Sequence, residues 1–295
     1  MLNLEIRGIV SAMATCLTPA GEINPEATIQ LCDFLIERGV NALFPIGTTG
    51  EGFLLKTSER KALAEIIVEA VAGRVPVIIQ TGAMSTALTV ELTRHAQTIG
   101  ADAAGIITPY FYSFDDLSLR RHFLEVAQAV PDFPLFLYNF PANAGNIISP
   151  KLLADLHEKA PNIVGLKNSD GDLTVFQDFV EMGDFIVLNG HDGLMLPALA
   201  IGSKGQVSGN STAFPEPFVA LYQAWQKGDI DEARSHQRFI NRLRDATMDT
   251  RYLAVVKRAL EWRGIPAGPV RSPQRELTPD EERTYRRKLE KLGLL

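Results

Sequence analysis

The feature that most constrains this fold is a repeated alternation of strand-like and helix-like segments. Short, almost unbroken apolar runs occur at Gly8 to Cys16, Ala42 to Gly47, Val75 to Gly82, Ala103 to Tyr110, Pro134 to Pro141, Ile163 to Asp170, Phe185 to Gly190 and Gly205 to Asn210. Runs that are apolar throughout, rather than at every second residue, suit parallel strands covered on both faces. Helical patterns fill the gaps, near Pro25 to Arg38, Leu117 to Val130, Pro150 to His157, Leu173 to Met182, Leu194 to Ile201 and Pro217 to Lys227. Two more are better marked. Leu63, Ile66, Ile67 and Ala70 follow a candidate Thr57 N-cap, and Leu88, Leu92, Ala96 and Ile99 share a face that ends at Gly100. Eight such units predict an α/β chain folded as a closed (β/α)8 barrel, with an open doubly wound sheet as the alternative.

The barrel is expected to occupy residues 1–227, and residues 228–295 to form a C-terminal helical extension. Helical stretches near Asp229 to Ala246 and Tyr252 to Trp262 precede a Pro- and Gly-rich connector, Gly264 to Val270. Thr278-Pro279-Asp280-Glu281 has capping-box spacing with Pro at the first helical position, so a last helix should begin there. These helices are expected to pack on the barrel or mediate subunit contacts.

Composition narrows the function. With 295 residues, 46% hydrophobic and 22% charged, the chain can bury an extensive core, and its net charge of -6 without a long basic run argues against nucleic acid and anionic membranes as partners. Cys16 and Cys32 match neither a metal site nor a disulfide framework. The segment Met1 to Arg7 lacks a signal-peptide core, and no apolar run reaches membrane-spanning length, so a cytoplasmic protein is expected.

A barrel would gather its chemistry at the C-terminal strand ends, where Gly47-Thr48-Thr49, Tyr110, Tyr138, Lys167, His191-Asp192 and Ser208 would converge. Lys167 closes the sixth run. Burial favours the neutral, nucleophilic amine of a lysine, although a lysine at a strand end can also simply reach solvent. The other lysines, Lys257 among them, lie in polar, helical or turn contexts and compete poorly for this role. In Gly47-Thr48-Thr49-Gly50-Glu51-Gly52, glycines would let the backbone approach a small anion while hydroxyls and N–H groups hold a carboxylate, or the segment is a plain Gly-rich turn. Tyr138 could move protons beside an imine, or be a core tyrosine with a satisfied hydroxyl. No calcium loop follows Asn168, because Leu173 and Phe179 stand where Gly and Glu are needed. No histidine pair has metal-binding spacing, so no metal is expected.

Together, Gly47-Thr48-Thr49-Gly50-Glu51, Tyr138-Asn139-Phe140-Pro141 and Gly165-Leu166-Lys167 resemble the family of dihydrodipicolinate synthase and N-acetylneuraminate lyase, and the resemblance extends to Gly268-Pro269-Val270-Arg271. It implies class I aldolase chemistry on pyruvate or a pyruvate-yielding 2-keto acid, an aldehyde as second partner, and a homotetramer. It also implies a Schiff base on Lys167 in place of any cofactor, Tyr138 as the proton-shuttling phenol, and Thr48 and Thr49 at the pyruvate carboxylate. Two departures stand out. Dihydrodipicolinate synthases carry an arginine where this chain has Asn143, so recognition of a second carboxylate should be weakened unless another cation compensates. Relatives also place a relay tyrosine, contributed across a subunit interface, where this chain has Phe111; Tyr110, Tyr112, or water with Thr48 would have to replace it. The resulting expectation is a lyase that cleaves a 2-keto-3-deoxy sugar acid, with Gly47, Thr49, Tyr110, Asn143, Ser169, Asp192 and Ser208 binding substrate. Dihydrodipicolinate synthase or N-acetylneuraminate lyase activity, a keto sugar acid dehydratase and a non-catalytic pyruvate-binding barrel are the alternatives.

Overall fold

The computed structural model describes residues 4–295, so Met1 to Asn3, part of the segment read for a leader, lie outside the described residues. Eight parallel strands run in order: β1 (Gly8–Ser11), β2 (Ala42–Leu43), β3 (Ile78–Gln80), β4 (Ala103–Ile107), β5 (Leu135–Asn139), β6 (Ile163–Asn168), β7 (Ile186–Asn189) and β8 (Gly205–Ser208). Each pairs with its sequence neighbour except that β1 also pairs β8, and a parallel bridge from Leu43 to Val77 joins β2 to β3. The sheet therefore closes on itself as a (β/α)8 barrel, and the doubly wound alternative is excluded. No helix among the described residues is long and apolar enough to cross a membrane.

Strand parity sorts the side chains. In β5, Phe136 and Tyr138 join the inward cluster with Val10, Phe44, Ile78, Leu188 and Val207, while Leu135 and Leu137 join the larger cluster between sheet and helices. In β6, Leu166 points outward to the helices, so Gly165 and Lys167 take the inward parity. The inner volume is matched large to small: a Cβ on Gly165 would lie 2.2 Å from Phe136, and one on Gly105 would lie 2.5 Å from Phe44. These two phenylalanines plug the barrel below Lys167 and Tyr138. Each contributes about 1.5–3 kcal/mol by leaving water.

The strands are shorter than the apolar runs that announced them. Ala12 and Met13, for example, are buried beyond the end of β1, yet their N–H groups donate to the Ser208 and Phe44 carbonyls as the chain leaves the barrel. Apolar composition reports burial, and burial continues past the ladder.

Helix starts follow local chemistry, with Asn24, Ser85, Asp115 and Ser149 each accepting a backbone N–H at an N-terminus. Thr57 is not a cap. It is the first residue of helix Thr57–Val71, and Lys56 stands at the cap position with its N–H donating to Glu59 at 2.7 Å. Glu59 does the capping from inside the first turn, held there by Arg271 at 2.9 Å.

The C-terminal extension comprises helices Ile230–Thr247, Tyr252–Trp262 and Pro279–Lys291. The last opens with the Thr278 and Glu281 capping box read in the sequence. A four-residue helix, Pro141–Ala144, follows β5, too short to leave a helical pattern in the sequence. It turns Asn143 toward the barrel mouth.

Candidate active site

Lys167 is 5% exposed, and its register partner on β5 is Tyr138. Its Nζ lies 3.8 Å from the centre of the Tyr138 ring and 4.4 Å from that of Phe44. Ring faces offer a cation a modest attraction, much less than the water that burial removes. Burial accordingly pulls the lysine below its ordinary pKa, with the Tyr138 hydroxyl and the Asp192 carboxylate acting in the opposite direction. The consequence is a larger fraction of free amine. The Tyr138 ring is itself fixed edge-on to Phe44 and stacked on Phe140 at 5.8 Å.

A cavity of about 470 Å³ opens above Lys167 at the C-terminal ends of the strands, and Thr48, Thr49, Tyr138, Asn143, Ser169 and Asp192 line it with the lysine. Asp192 is anchored on three sides. Gln206 donates to Oδ1 at 3.0 Å, Asn210 to Oδ2 at 2.9 Å, and Gln237 to the backbone carbonyl at 3.0 Å. Burial pushes its carboxyl up, while hydrogen bonds from Asn210, Ser208 and Gln206 favour the anion.

Three of the residues singled out in the sequence are placed elsewhere. Ser208 is buried behind the lining, its Oγ accepting the Ser211 N–H at 3.1 Å. Tyr110 packs edge-on against Phe53 at 5.1 Å and does not border the cavity. Gly47 packs against Phe44 and likewise stays outside. Phe111 is 82% exposed with φ at 79°, away from the lysine of its own chain.

The glycines of the threonine loop have a role other than the one expected. A Cβ on Gly52 would fall 1.8 Å from the Ile46 carbonyl oxygen, and one on Gly50 would fall 2.9 Å from the Met13 carbonyl oxygen. They let the loop fold tightly on its own chain, where Ile46 and Glu51 take positive φ values of 63° and 53°. Glu51 then reaches inward. Its Oε1 receives Lys257 Nζ at 2.8 Å and its Oε2 receives the Arg271 N–H at 2.6 Å. Lys257 also donates to the Pro269 carbonyl at 2.5 Å, so the loop carrying Thr48 and Thr49 is tied to the C-terminal extension.

That extension also reaches the cavity, which sequence patterns did not indicate. Arg244, Met248, Asp249 and Tyr252 all line it. Tyr252 hydrogen-bonds Thr49, and burial first, then the charges of Asp192 and Tyr138, raise its phenol well above the ordinary tyrosine value. Gly209 is small because of this contact: a Cβ there would come 2.2 Å from Tyr252 Oη and 2.6 Å from Thr49 Oγ1. A tyrosine opening a helix far along the chain carries no local mark of such a contact.

The chain matches the family described as Dihydrodipicolinate synthetase over residues 5–292. It is 38% identical to a 4-hydroxy-tetrahydrodipicolinate synthase of Methanopyrus kandleri, across 100% of this chain and 99% of that protein. It is 36% identical to an uncharacterized DapA-like lyase of Halobacterium salinarum, across 99% and 96%. Among solved structures, YagE, a prophage protein of the dihydrodipicolinic acid synthase family from E. coli K12 crystallised with pyruvate, superposes with a TM-score of 0.94 at 32% identity, covering 99% of this chain and 100% of that one. A catalytic lysine mutant of Ruminococcus gnavus sialic acid aldolase superposes with a TM-score of 0.95 at 26% identity, covering 99% and 98%.

Proposed function

Because this chain belongs to the dihydrodipicolinate synthetase family, whose members are pyruvate-dependent lyases, we propose that it is a class I aldolase that reversibly cleaves a 2-keto-3-deoxy sugar acid to pyruvate and an aldehyde. The observation that carries this reading is a buried lysine amine set against the Tyr138 ring at the floor of a cavity that Thr48, Thr49, Asn143, Ser169 and Asp192 also line. The neutral Lys167 amine adds to the substrate C2 carbonyl, the Tyr138 phenol gives its proton to the departing hydroxyl, which leaves as water, and a protonated imine forms beside the Tyr138 phenolate. Tyr138 takes the C4 hydroxyl proton, the C3–C4 bond breaks, and its electron pair moves into the imine as an enamine while C4 departs as an aldehyde. C3 then takes up a proton. Water hydrolyses the imine, releasing pyruvate and regenerating Lys167.

In this scheme Thr48 and Thr49 hold the substrate carboxylate, and Asn143, Ser169 and Asp192 meet the hydroxyls of the sugar portion. A neutral Asn143 suits hydroxyls better than it suits a second carboxylate. The test is direct: incubate the protein with pyruvate and borohydride, map the modified peptide, then assay release of pyruvate from 2-keto-3-deoxygluconate. An adduct at Lys167 with pyruvate release supports the reading; no adduct refutes it.

The synthase reaction named for the Methanopyrus kandleri relative is a second reading, favoured by the 38% identity. Supplying pyruvate with aspartate 4-semialdehyde separates the two. The proposed homotetramer has a surface to draw on, since Phe111, Tyr112 and Leu117 expose large apolar side chains, and Asn146 fastens this loop through the Pro109 and Tyr112 carbonyls at 2.8 Å. Sedimentation of Phe111→Arg against the parent protein tests that assembly.

A further inference from the structure

Arg244 stands in the last turn of helix Ile230–Thr247 and borders the same cavity as Lys167, half-buried. Among the described residues its guanidinium has neither an ion-pair nor a hydrogen-bond partner. The nearby acids do not supply one. Asp192 is held by Gln206 and Asn210, and Asp249 is taken by Arg251 at 2.7 Å and by the Tyr285 hydroxyl. Asp170, also on the cavity wall, makes no ion pair, and Asp245 is exposed.

His191 lines the same cavity and is within reach of the Arg244 charge. Burial, and then the positive charge of Arg244, lower its pKa, and its Nδ1 is buried without a hydrogen-bond partner. An unpaired guanidinium and an unsatisfied imidazole nitrogen therefore share one wall of the cavity. A single anion between them would give both a partner.

We propose that Arg244, with His191 beside it, receives an anionic group at the far end of the aldehyde half of the substrate, a terminal carboxylate or phosphate. The proposal rests on the lyase reading above and narrows its substrate class to 2-keto-3-deoxy sugar acids that carry a second anionic end. Arg244 then supplies, from the C-terminal extension, the cation that Asn143 does not offer on the β5 side of the cavity. Arginine is suited to this because its fork can bind either oxyanion through two donors.

The test compares condensation of pyruvate with three short aldehydes: neutral glyceraldehyde, tartronate semialdehyde with a terminal carboxylate, and glyceraldehyde 3-phosphate. At least one anionic aldehyde should exceed glyceraldehyde in kcat/KM by about 10- to 100-fold, and whichever does so identifies the anion. In Arg244→Met the ratio of anionic to neutral kcat/KM should collapse toward one, mainly through KM, and Arg244→Lys should keep part of it. A wild-type enzyme with no anionic preference, or a Met variant that loses activity equally toward all three aldehydes, overturns the proposal. Borohydride trapping in the same samples separates the two levels. No pyruvate adduct at Lys167 sinks the lyase reading itself, whereas an adduct without anionic preference sinks only the role of Arg244.

Discussion

Among the described residues two lysines are buried, and they differ in what faces them. Lys167, at 5% exposed, meets the rings of Tyr138 and Phe44; Lys257, at 3%, meets the Glu51 carboxylate and the Pro269 carbonyl. Burial alone penalises either ammonium, and the surroundings decide the outcome. A carboxylate at 2.8 Å makes Lys257 one half of a buried salt bridge that clamps a loop. Around Lys167 the burial penalty outweighs what the aromatic faces, the Tyr138 hydroxyl and Asp192 return, which destabilises its charged form and favours the amine that can attack a carbonyl. The same side chain serves as a fastener in one place and as a nucleophile in the other.

The largest expected effect tests the reactive member. Lys167→Ala should lower lyase activity to background, a loss of more than about 10⁴-fold, with no borohydride adduct and an unchanged circular dichroism spectrum. Retained activity would erase the distinction between the two lysines.

Tyr138→Phe keeps the ring over Nζ and removes only the hydroxyl. Imine trapping should survive while kcat falls about 10²- to 10⁴-fold. Loss of trapping would mean that the hydroxyl, rather than the dry aromatic wall, sets the state of the lysine.

For the fastener the effect should be on stability. Lys257→Met leaves Glu51 buried without its cation and should cost about 3–5 kcal/mol in denaturant unfolding. Adding Glu51→Gln should recover part of that loss, because the stranded charge is then gone. A neutral Lys257→Met would show that the pair does not hold the threonine loop.

The smallest effect has the opposite sign. Lys167→Met should stabilise the protein by about 0.5–2 kcal/mol, since an apolar side chain suits that site better than an ammonium. With the folded-state pKa of Lys167 lowered, the unfolded chain binds more protons between that value and the ordinary lysine value near 10.5. Wild-type stability therefore rises with pH across that window, and the advantage of the Met variant is full below it and shrinks through it. Unfolding curves at several pH values would check this. A destabilised Met variant would put Lys167 in the same class as Lys257.

Both lysines were visible in the sequence, and only one was legible as special. Lys167 ends an apolar strand-like run, and strand parity sets which face it takes. Lys257 sits in a helical pattern, Tyr252–Trp262, and its partner Glu51 is 206 residues away. The Gly-rich loop was legible as a loop, but its glycines relieve contacts with Ile46 and Met13 that no local pattern encodes. Thr57 looked like a helix cap because threonine favours that position, whereas Glu59, steadied by Arg271 from the far end of the chain, took the task. Ser208 was correctly seen at the end of β8, yet the turn to Ser211 draws it behind the cavity lining.

What the sequence determined by itself was the barrel, the family, and the convergence of Lys167, Tyr138 and the threonine pair at one end of it. Those follow from short-range regularities: strand runs, their parity, and motifs at strand ends. Only the tertiary structure decided that the C-terminal helices furnish Arg244 and Tyr252 to the cavity and that Lys257 locks the threonine loop. Helical periodicity identifies an apolar face without naming the surface it meets, and contacts between distant segments depend on how the closed barrel brings them together.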